Sequence, residues 1–202
     1  MPPTTSDLST LLLWAALAYL AGSVPFGLVL TKLMGLGNLR DIGSGNIGAT
    51  NVLRTGSKAA AAMTLLLDGA KGAAILLAAR VSGAGEDVIQ ITALAAMIGH
   101  CYPVWLMFKG GKGVATFLGL MLALHWPAGI GCCIAWLIGA AIFRISSMGA
   151  IVAASASTFL LVFTGKGIAL VLGLVLTLLV FWRHRENIAR IRAGTEPKIG
   201  QK

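Results

Sequence analysis

The sequence predicts an all-α integral membrane protein, a seven-span helical bundle with its N-terminus outside and its C-terminus cytoplasmic. Three observations lead there. Only 11% of the 202 residues are charged, against about 25% in ordinary soluble domains, while 57% are hydrophobic. Mean hydropathy is +0.86, and long runs without a charge recur along the chain. Finally, Lys and Arg collect on alternate connections between those runs. A soluble globule of this size has too little interior for so much apolar surface. Secreted disulfide scaffolds, disordered tails and soluble nucleic-acid binders are therefore excluded, and helices that satisfy their own backbone across a bilayer remain.

Residues 8–31 form the first uncharged run, 24 residues long and sufficient to cross. Residues 1–7 carry no Lys or Arg, unlike the basic start of a cleaved signal peptide, so this run reads as a retained span. The second span, 59–79, is interrupted by Asp68 and Lys71, and the third runs 88–108. An uncharged stretch of 31 residues follows, 113–143. As one helix it would measure about 46 Å, too long for a hydrocarbon core of about 30 Å. His125-Trp126-Pro127 lies at its middle, where Pro and an interfacial Trp mark a turn. Two short spans result, 113–124 and 128–143. The last two are 145–164 and 167–182, joined through Gly165-Lys166. No internal repeat or linker divides the chain, so 1–202 reads as a single domain.

Charge sets the sidedness. With seven spans and the N-terminus outside, thirteen Lys and Arg residues fall on the cytoplasmic side and only Arg80 and Lys166 on the other. Six spans would throw the basic C-terminal tail outside, against the positive-inside rule. The net charge of +9 thus has a topological reading, facing anionic lipid, and a chemical one, an anionic substrate. Cys101, Cys132 and Cys133 lie in apolar stretches and form no C-x-x-C; they read as small buried residues. His100, His125 and His184 show no metal-ligand spacing, so no metal and no cofactor is expected.

Three polar stretches share the predicted cytoplasmic face. In the first, Gly43-Ser44-Gly45-Asn46-Ile47-Gly48-Ala49-Thr50-Asn51-Val52-Leu53-Arg54, glycines let backbone amides converge on an anion. Ser44 and Thr50 add donors and Arg54 a planar charged fork. Gly43, Gly45 and Gly48 match G-x-G-x-x-G, but no strand precedes them, so a nucleotide fold is not implied. The bland alternative is a polar turn between helices.

The second stretch, Lys109-Gly110-Gly111-Lys112-Gly113, places two cations among three glycines just before the fourth span, whose helix N-terminus adds a positive dipole end. It is not a Walker A loop, because Gly113 stands where Ser or Thr is needed. A lysine turn anchored to lipid headgroups would not require the glycines. The third stretch, 182–196, reads equally well as a basic amphipathic helix on anionic lipid or as a site element. His184 and Asn187 are three apart and share a helical face there. Asp68 and Lys71, also three apart inside the second span, read as a mutually neutralising pair that supports the polar loops from below.

Two cationic, glycine-rich stretches on one face suggest two phosphates. No Ser-His-Asp spacing and no flanking carboxylate pair is evident. Many phosphate donors with few bases suit an already activated substrate, for which binding, orientation and charge neutralisation supply the acceleration. A phosphate-ester or anion transporter is the competing reading. The intramembrane Asp68–Lys71 pair suits it, but polar stretches confined to one face do not make a two-sided path.

The three stretches, together with Gly22-Ser23-Val24-Pro25 and Leu67-Asp68-Gly69-Ala70-Lys71-Gly72, resemble the bacterial acyl-phosphate:glycerol-3-phosphate acyltransferase family over nearly the whole chain. The resemblance implies a seven-span enzyme of phospholipid synthesis in the bacterial inner membrane, with its active site on the cytoplasmic side. It implies transfer of a fatty acyl group from acyl phosphate to glycerol 3-phosphate, giving lysophosphatidic acid and inorganic phosphate. A soluble acyltransferase that makes acyl phosphate would be the partner, the bilayer the setting, and nucleic acid no partner. No His here is followed by Asp five positions on, unlike the H-x-x-x-x-D of other glycerol-phosphate acyltransferases.

Residue by residue, the resemblance implies phosphate and substrate binding by Ser44, Asn46, Thr50, Asn51 and Arg54, and places Lys112 at the reacting phosphates. Gly110, Gly111 and Gly113 would shape the loop, with Lys109 beside them. His184 and Asn187 would lie in the active site with Glu196 nearby. The expected catalytic group is therefore Lys112, Arg54, Ser44, His184 and Asn187. The base that takes the glycerol hydroxyl proton is either His184 or a substrate phosphate oxygen.

Overall fold

The computed structural model describes residues 2–200, and among them every regular element is helical. Helices α1 (Leu8–Ser23) and α2 (Phe26–Leu33) form one apolar stretch interrupted at Val24-Pro25. Pro25 has no N–H, and the residue before a proline is driven out of the helical region; Val24 is extended at φ −64°, ψ 116°. After a 3-10 turn at Leu39–Asp41 come α3 (Ala49–Val52), the 24-residue α4 (Lys58–Val81) and α5 (Glu86–Cys101). The rest is α6 (Val114–Leu124), α7 (Trp126–Phe143), α8 (Ser146–Phe163), α9 (Leu170–Arg183) and α10 (Arg185–Arg192).

Five helical stretches are long and apolar enough to cross a membrane: Leu8–Leu33, Lys58–Val81, Glu86–Leu106, Trp126–Phe143 and Ser146–Phe163. Gly167–Arg183 makes a sixth only when taken together with α10, from which a 61° bend divides it. The remaining expected span, the fourth along the chain, is α6, which at 11 residues is too short to cross alone. It starts after Gly113, held at φ +80°, and stops at the extended His125, beyond which Pro127 sits in the first turn of α7.

Helix α6 is interior. Phe117, Leu120, Met121 and Leu124 are buried against α4, α5 and α7. Helix α5 is the other central element, burying Val88, Ile89, Ala93 and Met97. Outward-facing Leu13, Leu66, Ile142, Phe163 and Leu178 stay exposed, as side chains that face hydrocarbon must. Small residues allow the close contacts. A Cβ on Gly99 of α5 would lie 2.2 Å from the Tyr19 carbonyl oxygen of α1, and one on Gly119 of α6 only 2.1 Å from that of Gly69 in α4. Backbones touch at both crossings, so packing replaces the hydrophobic driving force that is missing between helices in lipid.

At the end of the bundle where α4 ends and α5 begins, polar groups close on one another. Lys166 pairs with Glu86, Arg80 donates to the Leu124 carbonyl, and the Asp87 carboxylate accepts from the backbone N–H groups of Thr5 and Ser6, both at 2.8 Å. The three glycine-rich and basic stretches meet at the opposite end.

Candidate active site

The site is built from four junctions: the α2–α4 connection, the α5–α6 connection, the α7–α8 corner and the α9–α10 bend. Asn51 organises the first. Its side-chain amide donates to the carbonyls of Leu39 (3.0 Å), Ile42 (3.0 Å) and Asn46 (2.8 Å), and its Oδ1 accepts from the Ser44 N–H at 3.2 Å. Buried, with every polar atom engaged, Asn51 is the post around which residues 39–51 wrap. It does not reach outward to a substrate, in contrast to the role implied for it. Gly43 and Gly45 take left-handed φ of +55° and +65° to complete the wrap. The Arg54 side chain lies directly across Gly43; a Cβ there would be 2.2 Å from Arg54 Nη1. Ser44, Thr50 and Arg54 are exposed at the rim, with Asn46 and Gly48 half-buried behind them. The Asn46 Oδ1 caps the Gly48 N–H at 3.3 Å.

The second stretch differs from an anion cradle of free backbone amides. The Gly110 and Gly111 N–H groups donate to the Cys101 and His100 carbonyls, both at 3.1 Å, so they continue the end of α5. Their carbonyls accept from Arg183 Nη2 and Nε, both at 3.0 Å. The Arg183 guanidinium also lies 4.9 Å from the Tyr102 ring. With those two amides taken, Lys112 and the N-terminus of α6 are what this turn offers an anion, with Lys109 exposed beside them. Lys112 Nζ donates to Asn187 Oδ1. Burial pushes the Lys112 ammonium down to about 8; Glu196 opposes that shift, and Arg190 reinforces it.

The third stretch turns at His184, where the chain bends from α9 into α10. His184 is 2% exposed and Asn187 is 5% exposed. His184 Nδ1 lies 2.8 Å from the Val180 carbonyl oxygen, which can only accept, so Nδ1 carries the proton and Nε2 presents a lone pair. Burial pushes the imidazole down to about 4, and it is neutral at ordinary pH. Glu196 folds back over this bend. Its Oε1 accepts from Ser147 Oγ at 2.7 Å and from Asn187 Nδ2, and its Oε2 from Arg190 Nε at 2.7 Å. Burial opposes ionisation of Glu196, but these three donors prevail and its pKa is lowered.

The junctions close into a ring. Thr50 Oγ1 meets Ser146 Oγ at 3.0 Å, and neighbouring Ser147 holds Glu196. Glu196 holds Asn187, Asn187 holds Lys112, and Arg40 links Gly45 to Lys109 by donating to both carbonyls. Arg40, Ser146, Ser147, Arg183 and Arg190 are the members that motif reading missed. Arg183 and Arg190 were hidden in a basic run, and Ser146-Ser147 look like an ordinary helix start. Asp68 and Lys71 are not in the ring. They pair at 2.7 Å inside α4, and Lys71 Nζ also donates to the Val24 carbonyl at 2.6 Å, which accepts from the Phe26 N–H at 3.2 Å as well. Among the described residues no cluster of three or more His, Cys, Asp or Glu groups comes together for a metal. A rim of cations over neutral donors, with one carboxylate fully tied down, is suited to organic phosphate.

Comparison with known proteins identifies the family. A sequence model of the glycerol-3-phosphate acyltransferase family matches residues 12–194. A glycerol-3-phosphate acyltransferase of Ruegeria pomeroyi is 66% identical over 202 residues, covering 100% of this chain and 99% of the relative. That of Roseobacter denitrificans is 68% identical over 200 residues, covering 98% of each. Among solved structures, PlsY (YgiH), an integral membrane glycerol 3-phosphate acyltransferase in its glycerol 3-phosphate form, superposes with a TM-score of 0.88. It shares 38% identity over 94% of this chain and 96% of that one. The chain belongs to the glycerol-3-phosphate acyltransferase family.

Proposed function

We propose that this protein transfers a fatty acyl group from acyl phosphate to glycerol 3-phosphate, giving lysophosphatidic acid and inorganic phosphate at the cytoplasmic face of a bacterial inner membrane. The observation that carries the reading is the ring itself. It brings Lys112, Arg54 and Arg40 around a rim of hydroxyl and amide groups, with no paired carboxylates and with its one histidine neutral. Such a site neutralises phosphate charge well and abstracts protons poorly. An acyl phosphate needs just that, since phosphate is a good leaving group.

In the reaction the glycerol hydroxyl oxygen attacks the acyl carbonyl carbon and the acyl–phosphate C–O bond breaks. The hydroxyl proton passes to the departing phosphate, so no enzyme base is consumed. Lys112 and Arg54 offset the charge that grows on the leaving group. Ser44, Thr50 and Asn46 seat the glycerol phosphate. The His184 Nε2 lone pair accepts from the attacking hydroxyl and orients it; a group near 4 is a weak base. The acyl chain stays in the bilayer while the head reacts at the interface, which accounts for a small reaction housed in a bundle. Seven passages of the chain in one domain, the short interior α6 counted as one of them, with the N-terminus outside, are the arrangement that the thirteen-to-two charge asymmetry favours. Acyl phosphate is chemically labile, and a soluble acyltransferase that produces it is the corresponding partner.

The test is purified protein in detergent with acyl phosphate and glycerol 3-phosphate, followed by lipid chromatography and phosphate release. Lysophosphatidic acid formed from acyl phosphate, and none from acyl-CoA, is the expected result. Product from acyl-CoA alone would overturn the donor assignment, and liposome uptake without product would indicate a transporter.

A further inference from the structure

His100, the penultimate residue of α5, is 4% exposed, and its Nδ1 has no hydrogen-bond partner. The nearest charged oxygen, Asp68 Oδ1, is 3.8 Å away, beyond hydrogen-bond distance. An unpartnered buried nitrogen is unfavourable, and an apolar side chain of similar volume would fill the space without it. The ring therefore has a reason to be there other than filling space.

The reason lies on its other edge. A Cβ added at Gly111 would lie 2.2 Å from His100 Nε2, so the turn rests directly on the imidazole. The His100 carbonyl also accepts from the Gly111 N–H at 3.1 Å, and a Cβ on Gly110 would lie 2.2 Å from that same oxygen. Beneath the ring, Asp68 is fixed by Lys71 at 2.7 Å, and its backbone oxygen accepts from Thr116 Oγ1 of α6 at 2.9 Å. Above, Arg183 clamps the Gly110 and Gly111 carbonyls. The turn is held between an imidazole floor and a guanidinium lid, and Lys112 leaves it one residue later.

We propose that His100 is a positioning residue: its imidazole sets the height of the Gly110-Gly111 turn and thereby places the Lys112 ammonium against Asn187 and the reacting phosphate. The readout rests on the reaction proposed above, but the contact itself does not. Asp68 and Lys71 act one layer further down, by fixing the floor.

The test is a set of variants assayed for kcat and KM in detergent with acyl phosphate and glycerol 3-phosphate, alongside thermal unfolding. His100→Ala is expected to lower kcat/KM by about ten- to a hundredfold, since small misplacement of a catalytic group has that effect; the cavity it leaves also lowers the unfolding temperature, so the rescue and the Lys112→Ala background below separate positioning from stability. Gly111→Ala is expected to do the same by pushing the turn off the ring. The double variant His100→Ala/Gly111→Ala is expected to turn over faster than Gly111→Ala alone, because the methyl enters space the ring has left. In a Lys112→Ala background, His100→Ala is expected to add no further loss. Should His100→Ala not fold, His100→Asn vacates the same space and takes its place. The proposal is overturned if the double variant is no faster than Gly111→Ala, or if the His100 change costs as much without Lys112 as with it. Wild-type protein without turnover sinks the reaction; wild-type turnover with no rescue sinks the positioning role alone.

Discussion

The Lys112 ammonium is hydrogen-bonded to the Asn187 side-chain carbonyl across 75 positions of sequence. Asn187 is itself held by Glu196, which is held by Ser147 and Arg190. One cation is thus aimed by a chain of neutral and charged groups drawn from three separate junctions.

In the proposed reaction, removing that cation leaves phosphate charge uncompensated. Lys112→Ala is expected to lower turnover by about a hundred- to a thousandfold, the usual consequence of deleting one transition-state donor. Arg54→Ala is expected to act in the same direction, with a smaller change for Ser44→Ala because no charge is lost. Phosphate release by purified variants measures all three, and near-full activity in Lys112→Ala would falsify the assignment.

Lys112 sits near 8, so it is cationic below that pH and neutral above it. The role proposed for it requires the charge, so kcat/KM, which reports the free enzyme, is expected to fall as pH rises through about 8. Lys112→Arg keeps its charge and should carry the fall to higher pH in whatever activity remains. A profile flat from pH 7 to 9 in the wild type contradicts the role of the ammonium.

His184 is neutral and donates Nδ1–H to Val180, which leaves Nε2 to accept a hydrogen bond. His184→Gln retains a polar tip of similar reach and is expected to keep measurable turnover along with normal glycerol 3-phosphate binding. Complete loss of turnover with unchanged binding, seen by calorimetry, would make His184 the base.

Asn51 is the post of the first loop, and Asn51→Asp keeps its shape while removing its donor. Three carbonyls now served by Nδ2 would face a carboxylate. Thermal unfolding is expected to show a loss of at least about 1–3 kcal/mol, the cost of stranding buried partners. Thr50→Val, at the exposed rim, is expected to leave unfolding unchanged.

The Asp68–Lys71 pair is buried inside α4. Asp68→Asn leaves an ammonium there without its counter-charge and is expected to destabilise by about 3–5 kcal/mol. Adding Lys71→Met should restore part of that, because the unpaired charge is gone. A double variant less stable than Asp68→Asn would mean that the Lys71 bond to Val24 matters more than the charge.

Much of this molecule is legible along the chain. Hydropathy fixes the helical class, since a backbone in hydrocarbon must bond to itself. Helix ends fall where Gly113 and His125-Trp126-Pro127 interrupt the apolar runs, because proline lacks a donor and glycine tolerates positive φ, whereas the break at Pro25 lies inside a run that reads as one span. The three polar stretches are visible too, because glycines and cations cluster there between apolar runs. Only the tertiary structure decides which atoms of those stretches are free. Sequence does not record that the Gly110 and Gly111 amides are consumed by the end of α5, or that Asn51 turns inward. It does not record that Ser146, Ser147 and Arg40 complete the ring, or that His100 carries the turn. Each of these depends on hydrogen bonds and contacts between junctions far apart in the chain, and local pattern carries no information about partners that packing alone brings within 3 Å.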